Sequence, residues 1–459
     1  MGKRSRRILT ALGIVIVALG IAYAGLMARA TVKLRRAYAA LEADGRPMRT
    51  ADIMPPKVPD SENAAVLYQS AILMLKGQPA GEKSLFESLT AHADAVRKEA
   101  EKKWLGHEVV TNALSLIEQG TRRPACQIEH NNDNVLDLLD TPFLDDLRRL
   151  GSIMMARANY EAQAGNPAAA WELVLTQLRF ADSLRSDPSS DTQFARLGLA
   201  LRASRMMRQL CETAPPEPEH CRAISDLLKQ QEGIDPLIRA IDGERLLIGE
   251  WFFNLPRGEL DRILWKEHSG EDVIPLALLK AIYRAWFTVV AFRPRFVADH
   301  AAYLHVMRKR VQVLQGPYRD RKEIEQFMQM SHWNFLTGLL TGWGGNDKWY
   351  YCRFSGDLKI SRAGLALLQY KQAHGAFPEM LDALGLEGMI DPYTDKPLLY
   401  RAQGEGFAVY SVGEDLKDNG GTPQQRRTDS DPRRKPVEYD QVWLFPDPEL
   451  QPAVKADEG

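Results

Sequence analysis

Cysteine is scarce in this chain, with four residues in 459. Small disulfide-stabilised domains need a far higher density, so that class of fold is excluded. The spacing still leaves room for one bridge, because Cys211 and Cys221 flank a proline-rich loop between two predicted helices. In an oxidising compartment a bridge there would stabilise the fold by about 2–3 kcal/mol. Two free, buried thiols are the alternative.

The chain also lacks an excess of charge of either sign. Lysine and arginine total 59 and aspartate and glutamate total 60, which gives a net charge of −1. A protein that binds nucleic acid needs a sustained basic surface to displace the counterions of the phosphate backbone. We therefore expect no nucleic-acid partner.

Catalytic and nucleotide-binding motifs are missing from the sequence. No G-x-S-x-G, P-loop or G-x-G-x-x-G pattern occurs. His107-Glu108 begins a zinc-type H-E pair, but the fourth residue after the histidine is Thr111 instead of a second histidine. His300 and His305 are five positions apart, which turns them about 140° away from each other on a helix. The sequence therefore predicts no catalytic residue and no organic cofactor.

Long apolar runs are limited to one, near the N-terminus. The 20 residues from Ile8 to Met27 contain no charged side chain. A helix of this length spans about 30 Å, the thickness of the hydrocarbon core of a bilayer. The basic residues in 1–7 place that end in the cytoplasm by the positive-inside rule, although the flank behind the run is basic too. The sequence predicts a single-pass protein of the cell (inner) membrane, with its bulk periplasmic or extracellular.

Two other interpretations of the apolar segments are open. The first is a cleaved signal peptide, because Ala22-Tyr23-Ala24 has the A-x-A form of a cleavage site. The apolar run is, however, longer than the roughly 7–15 residues typical of a signal sequence. The second is a further span at Ile274 to Phe292, where Lys280 and Arg284 would each cost about 3 kcal/mol at the bilayer centre. We interpret that segment as a buried or groove-lining helix.

The rest of the chain divides into four regions by composition. Residues 28–59 continue as a helix and then become a proline-rich linker. Residues 60–340 have a helical pattern nearly throughout. A stretch rich in glycine and tryptophan separates them from a different module at 352–445, and 446–459 form a tail.

Polar residues followed by proline mark several helix starts in the 60–340 region. Such pairs occur at Thr141-Pro142, Asn166-Pro167 and Asp235-Pro236, and Asp60 precedes another amphipathic segment. The stretch from Ala164 to Leu173 resembles a tetratricopeptide hairpin, but no 34-residue period recurs. The fold class is therefore mainly α, and this region is either an irregular helical bundle or a degenerate helical-repeat domain.

The C-terminal module combines a predicted helix, Ile360 to Ala373, with short β-type runs at Leu398 to Tyr400 and Phe407 to Tyr410. Gly404-Glu405-Gly406 separates the two runs by hairpin spacing. The motifs H-G-x-F-P, D-P-x-T-x-K-P and Y-S-x-G-x-D occur in this order. The combination resembles the globular domain of type II secretion pseudopilins over residues 352–445, which implies a small α+β fold.

The resemblance also implies a calcium site in the last loop of the module. The corresponding carboxylates are Asp415, Asp418 and Asp440, and calcium prefers such oxygen ligands. An ordinary solvated turn is the alternative, because a basic insertion, Thr422 to Pro436, separates Asp418 from Asp440. The chain departs from pseudopilins at its membrane helix, which lies more than 300 residues before the module and has no acidic residue nearby.

These observations favour a non-enzymatic, membrane-anchored interaction or scaffold protein whose partner is another extracytoplasmic protein. A component of a secretion or surface-assembly apparatus is the first alternative, and an exported enzyme of unrecognised type is the second. An aromatic cluster from Gly249 to Trp265 forms either core or a peptide-binding groove.

Overall fold

The computed structural model describes residues 3–80, 83–90, 104–128, 142–255, 293–322, 335–341, 346–423 and 440–447. The segment Ile274 to Phe292, most of the insertion after Thr422 and the tail from residue 448 lie outside these stretches. So does the second half of the aromatic cluster. Contacts divide the chain into two compact units.

Most of the described chain is helical, as the sequence predicts. The helices are α1 (Lys3–Ala43), α2 (Ala64–Lys76), α3 (Leu85–Thr90), α4 (Glu108–Thr121), α5 (Pro142–Gln163), α6 (Pro167–Ser183), α7 (Ser190–Thr213), α8 (Pro218–Gln231), α9 (Asp235–Gly243), α10 (Trp251–Asn254), α11 (Arg293–Gln315), α12 (Phe335–Thr341) and α13 (Asp347–His374). A π-helix, Glu244–Glu250, joins α9 to α10. The strands are β1 (Pro79–Ala80), β2 (Lys83–Ser84), β3 (Leu399–Gln403), β4 (Gly406–Ser411) and β5 (Gln441–Phe445).

Unit 1 contains Met1–Ile53, Ile241–Val313 and Lys322–Asn346. Within the described residues, α1 is the one helix long and apolar enough to cross a membrane. Its apolar side chains are exposed from Ile8 to Leu26, whereas farther along the same helix Leu41 is buried. The continuous helix therefore has an uncovered apolar first half and a second half that packs within unit 1.

Unit 2 contains Met54–Ala240, Leu314–Arg321 and Asp347–Gly459. Among its helices, α2 packs with α4, α5 with α6, and α6 with α7. Further contacts join α4 to α6, α5 to α7 and α6 to α8. Helix α13 packs on α7 and α8 at the end of the series. The contacts in this unit run mostly between helices that are close in the sequence, and the choice between an irregular bundle and a degenerate repeat stays open.

Two ion pairs hold α13 against the preceding helices. Arg208 of α7 pairs with Asp357 of α13 at 2.9 Å, and Arg362 of α13 pairs with Glu232 at the end of α8 at 2.7 Å. Both pairs are largely buried, so removing one partner would leave an uncompensated charge. These two ion pairs determine the face of α13 that packs on α7 and α8.

A three-stranded antiparallel sheet packs on α13, with β4 between β3 and β5. Phe407, Ala408 and Val409 of β4 are fully buried, and Val409 pairs in register with Trp443 of β5. The ring of Trp443 lies against Gly364 of α13, where a Cβ atom would come within 2.1 Å of it. The sheet and the helices thus share one hydrophobic core.

Several predicted boundaries are confirmed and others are wrong. Helices α5 and α6 begin at the predicted prolines. Helix α2, in contrast, begins at Ala64, and its cap is Asn63 instead of Asp60, because the Asn63 side chain accepts the amide hydrogen of Ala65. Helix α13 begins at Asp347, well before the predicted Ile360. One boundary between the contact units falls after Ala240, and the predicted domain bounds stay a prediction.

Candidate functional site

Three helices of unit 2, α5, α7 and α13, line a groove that contains two pockets. Residues three or four apart on a helix share one face, and each helix contributes such a set. The sets are Ser152, Met155 and Asn159 on α5, Arg202, Arg205 and Gln209 on α7, and Trp349, Arg353 and Asp357 on α13.

The first pocket lies between α5 and α7 and has a volume of about 220 Å³. Met155 and Met206 are among its lining residues, and each is 6% exposed, so together they offer an apolar floor. Polar amides lie above them, where Gln209 Nε2 donates to Asn159 Oδ1 at 3.3 Å. Methionine side chains adapt to ligands of different shape. This pocket can therefore hold an apolar side chain while the amides bind a backbone.

The second pocket, also about 220 Å³, lies between α7, α13 and the loops at the end of the sheet. Trp349 forms one wall, and the guanidinium of Arg353 lies 5.2 Å from the centre of its ring. The indole nitrogen of Trp349 donates to the carboxylate of Glu414. Asp357 accepts a hydrogen bond from Ser204 at 2.9 Å, in addition to its ion pair with Arg208.

Arg205 joins the two pockets. Its exposed side chain lines both of them, so the two cavities border on one residue of α7. An apolar pocket, amide groups and guanidinium groups follow one another along this groove. Such an arrangement suits the binding of an extended chain better than that of a compact molecule.

The predicted calcium residues lie at the sheet end of unit 2 but do not form a cluster of ligands. Asp440 accepts the amide hydrogens of Asn419, Gly421 and Thr422 at 2.7–3.2 Å. Burial raises the pKa of Asp440 even though these three hydrogen bonds favour its charged form.

The other two carboxylates have separate partners in the same loop. Asp415 accepts from Lys417 and Asn419, and Asp418 accepts from Tyr410 and Gly420. In the part of the chain that the structure describes, no three His, Cys, Asp or Glu side chains are close enough to hold a metal ion. Backbone amides that donate to these carboxylates therefore hold the loop together. Calcium binding stays a prediction.

Cys211 and Cys221 are free thiols in this structure, and both are buried. Burial raises the pKa of the Cys211 thiol, and Cys221 is near enough to raise it further. Burial likewise raises the pKa of Cys221 to about 11. A bridge between them stays a prediction.

A polar network surrounds the π-helix Glu244–Glu250 of unit 1. The hydroxyl of Tyr38 donates to the carboxylate of Glu250 at 2.7 Å, and His300 Nε2 lies 3.3 Å from the same oxygen. The ring of His300 stacks on Phe253, with 4.3 Å between the ring centres. Burial by itself raises the pKa of Glu250, but the hydrogen bond and charge of His300 outweigh it and hold that pKa below its usual value.

This network links α1 to the rest of unit 1. Asp44, just after α1, accepts two hydrogen bonds from Arg308 at 2.7 and 2.9 Å, and Arg46 pairs with Asp242. The described aromatic residues Phe252 and Phe253 are buried at 4% and 5% exposure, so this part of the predicted aromatic cluster is core.

Sequence reasoning did not single out the residues of the groove. Arg202, Arg205 and Gln209, or Trp349, Arg353 and Asp357, do show one-face helical spacing in the printed sequence. That spacing was the available signal. It could not indicate that the faces of α5, α7 and α13 meet, because their residues lie up to about two hundred positions apart.

Comparison of the chain with protein-family models, with curated proteins and with solved structures finds no match.

Proposed function

We propose that this chain is a single-pass, membrane-anchored protein that displays a peptide-binding groove outside the cytoplasm. The observation that carries the anchoring is helix α1. Its exposed apolar residues from Ile8 to Leu26 have no cover within the described residues, and a bilayer is the environment that stabilises such a surface.

The second half of α1 supports retention of the segment over cleavage. The same helix continues without a break to Ala43, and Tyr38 and Leu41 pack within unit 1. Removal of the helix up to Ala24 would leave this second half in place but would detach it from the membrane. Because the second half of α1 packs within unit 1, a retained first half would hold unit 1 close to the membrane surface.

The groove of unit 2 supports an interaction function. We interpret the succession of packed helices as a degenerate helical repeat, a class that uses the surface formed by successive helices to bind extended segments of partner proteins. The apolar floor at Met155 and Met206, together with the amides of Asn159 and Gln209, supplies what a peptide needs: a cavity for a side chain and partners for its backbone.

Photocrosslinking in living cells tests this function. A photoreactive amino acid in place of Asn159 or Gln209 is expected to give a crosslinked product of discrete mass. The same amino acid in place of Arg222, which is exposed on α8 and lines neither pocket, is the matched control and is expected to give none. Products absent at both groove positions, or equally abundant at Arg222, would contradict a binding groove.

A role in a secretion or surface-assembly apparatus is a second candidate. The observation in its favour is the order of elements at the C-terminus, a long helix followed by a three-stranded antiparallel sheet, which is what the resemblance to pseudopilins implies. Co-purification of the full chain with a secretion apparatus from detergent extracts would support it, and a chain that purifies free of any such apparatus would not.

A further inference from the structure

We infer that the groove of unit 2 binds an acidic segment of its partner, with a carboxylate of that segment placed on Arg205. This inference rests on the proposed peptide-binding function and adds the chemistry of the ligand. Arg205 is exposed, lines both pockets, and in the described chain has no carboxylate partner. An unpaired guanidinium at the junction of two cavities is a suitable partner for a carboxylate, which it can bind through two parallel hydrogen bonds.

A second guanidinium, that of Arg353, lies in the neighbouring pocket. Arg353 lies against the ring of Trp349 at 5.2 Å, and among the residues described it makes no ion pair. Stacking on an aromatic ring holds a guanidinium in place without using its hydrogen-bond donors. Arg353 therefore offers these donors to the same ligand.

Carboxylates also line the second pocket, but their oxygens have partners. Asp357 is paired with Arg208, and Asp440 accepts three backbone amide hydrogens. Glu414 accepts the indole hydrogen of Trp349. These hydrogen bonds leave the carboxylates charged, so the second pocket is not basic by itself. The first pocket is lined by Arg202 and Arg205 and, among the described residues, by no carboxylate. Its charge favours an acidic segment over a basic one.

The apolar pocket completes the description of the ligand. Met155 and Met206 lie beside Arg205 in the same cavity, so the segment needs an apolar side chain close to its carboxylate. In an extended chain, side chains two positions apart point to the same side, so an acidic residue and an apolar residue at positions i and i+2 meet both demands.

Selection from a phage-displayed library of random dodecapeptides tests the inference, with the full chain held in lipid nanodiscs. The unaltered protein is expected to enrich peptides that carry aspartate or glutamate. Arg205→Glu is expected to lose that enrichment or to reverse it toward lysine and arginine. Arg222→Glu, which reverses the charge of an exposed arginine on α8 outside both pockets, is the matched control and is expected to select the same acidic peptides as the unaltered protein.

The binding constants of the selected peptides give a second measurement. Loss of a charge-assisted hydrogen-bond pair weakens binding by about tenfold or more, so Arg205→Gln is expected to bind a selected acidic peptide at least about tenfold less tightly. The binding to the unaltered protein is expected to weaken as salt is added. Since the Arg205 side chain is exposed and makes no hydrogen bond or ion pair among the described residues, these variants are expected to keep the fold.

The outcomes distinguish this inference from the function on which it rests. If the unaltered protein enriches peptides without acidic residues, and Arg205→Glu enriches the same ones, the acidic specificity is wrong and the peptide-binding function stands. If the unaltered protein enriches no peptide above the level of empty nanodiscs, both are wrong.

Discussion

The carboxylate of Asp440 closes the loop that leads into β5. Three backbone amides donate to it, and the amide of Gly421 is buried. Removing the carboxylate leaves these donors without a partner, and a buried unpaired donor costs about 1–3 kcal/mol. The role of this residue is structural in the described chain, whatever ion the loop binds.

Asp440→Ala is therefore expected to lower the free energy of unfolding by about 1–3 kcal/mol in urea titrations of the full chain in detergent micelles. Asp418→Ala is the control, and its effect is expected to stay near about 0.5 kcal/mol because Asp418 is exposed. Equal effects of the two substitutions would contradict the account. A midpoint that rises with calcium and falls with chelator would instead demonstrate the ion that the pseudopilin resemblance implies.

Single residues could be assigned from the sequence only where their local setting decided their role. Asn166 and Pro167 mark a helix start because a cap and a proline act within one turn. Arg205 had no such local signature. Its position between two pockets depends on α5 and α13, which lie far from it in the chain.

At the scale of elements, the contact between α13 and the sheet depends on a small residue. Gly364 lies where the ring of Trp443 meets the helix, and an added Cβ would be 2.1 Å from the ring. The neighbouring Phe407 packs edge-on against Trp443, with 5.6 Å between the ring centres. The ring therefore has little room to move away.

Gly364→Ala is expected to lower the free energy of unfolding by about 1–3 kcal/mol, the usual cost of overpacking a core. Gly198→Ala on α7 is the matched control, because a Cβ there would meet nothing within 4 Å. Alanine is the better helix former, so this control is expected to be neutral or more stable by up to about 1 kcal/mol. The free energies of unfolding of both variants are measured by urea titration in the same detergent. A Gly364→Ala variant as stable as the unaltered chain would contradict the packing of Trp443 on Gly364.

The π-helix of unit 1 gives a second prediction at this scale, which concerns pH. His300 holds the pKa of Glu250 below its usual value, so ionised Glu250 stabilises the folded unit. That stability is fully present above the unfolded pKa, near 4.5, and is lost as the pH falls through the lower folded value. Limited proteolysis of α11 is therefore expected to accelerate as the pH falls below about 4.5.

Glu250→Gln is the test of this assignment. The variant is expected to remove most of the acid-dependent change, because the glutamine does not titrate over the same range. The exposed Glu172→Gln on α6 serves as the control and is expected to leave the pH profile unchanged. An identical acid response in Glu250→Gln would assign the effect to another group.

Elements were predictable from the sequence where periodicity was strong and local. The hairpin of β3 and β4 follows from two short apolar runs at hairpin spacing and from Gly404, whose φ of +56° suits the turn. The early start of α13 was not predictable, because Asp347 and Lys348 are buried by contacts within unit 2 that no local pattern records. Lys348 Nζ, for example, donates to the carbonyl of Leu314 at 3.0 Å.

For the whole molecule, the sequence established that the chain is mainly helical with one apolar helix at its start. The division into two units could not be predicted from the sequence, because unit 1 combines α1 with residues from 241 onward. Such an assembly depends on contacts between segments about two hundred residues apart, for example Tyr38 with Glu250. Sequence periodicity describes which face of a helix is apolar and does not identify the partner of that face.

The topology is the central claim of the account, because the proposed partner and the accessibility of the groove both depend on it. Fusions of two reporters to Gly459 test it most directly, one reporter active only after export and the other active only in the cytoplasm. The basic residues ahead of Ile8 and the exposed apolar helix predict activity of the exported reporter alone. Activity of the cytoplasmic reporter alone would contradict the account.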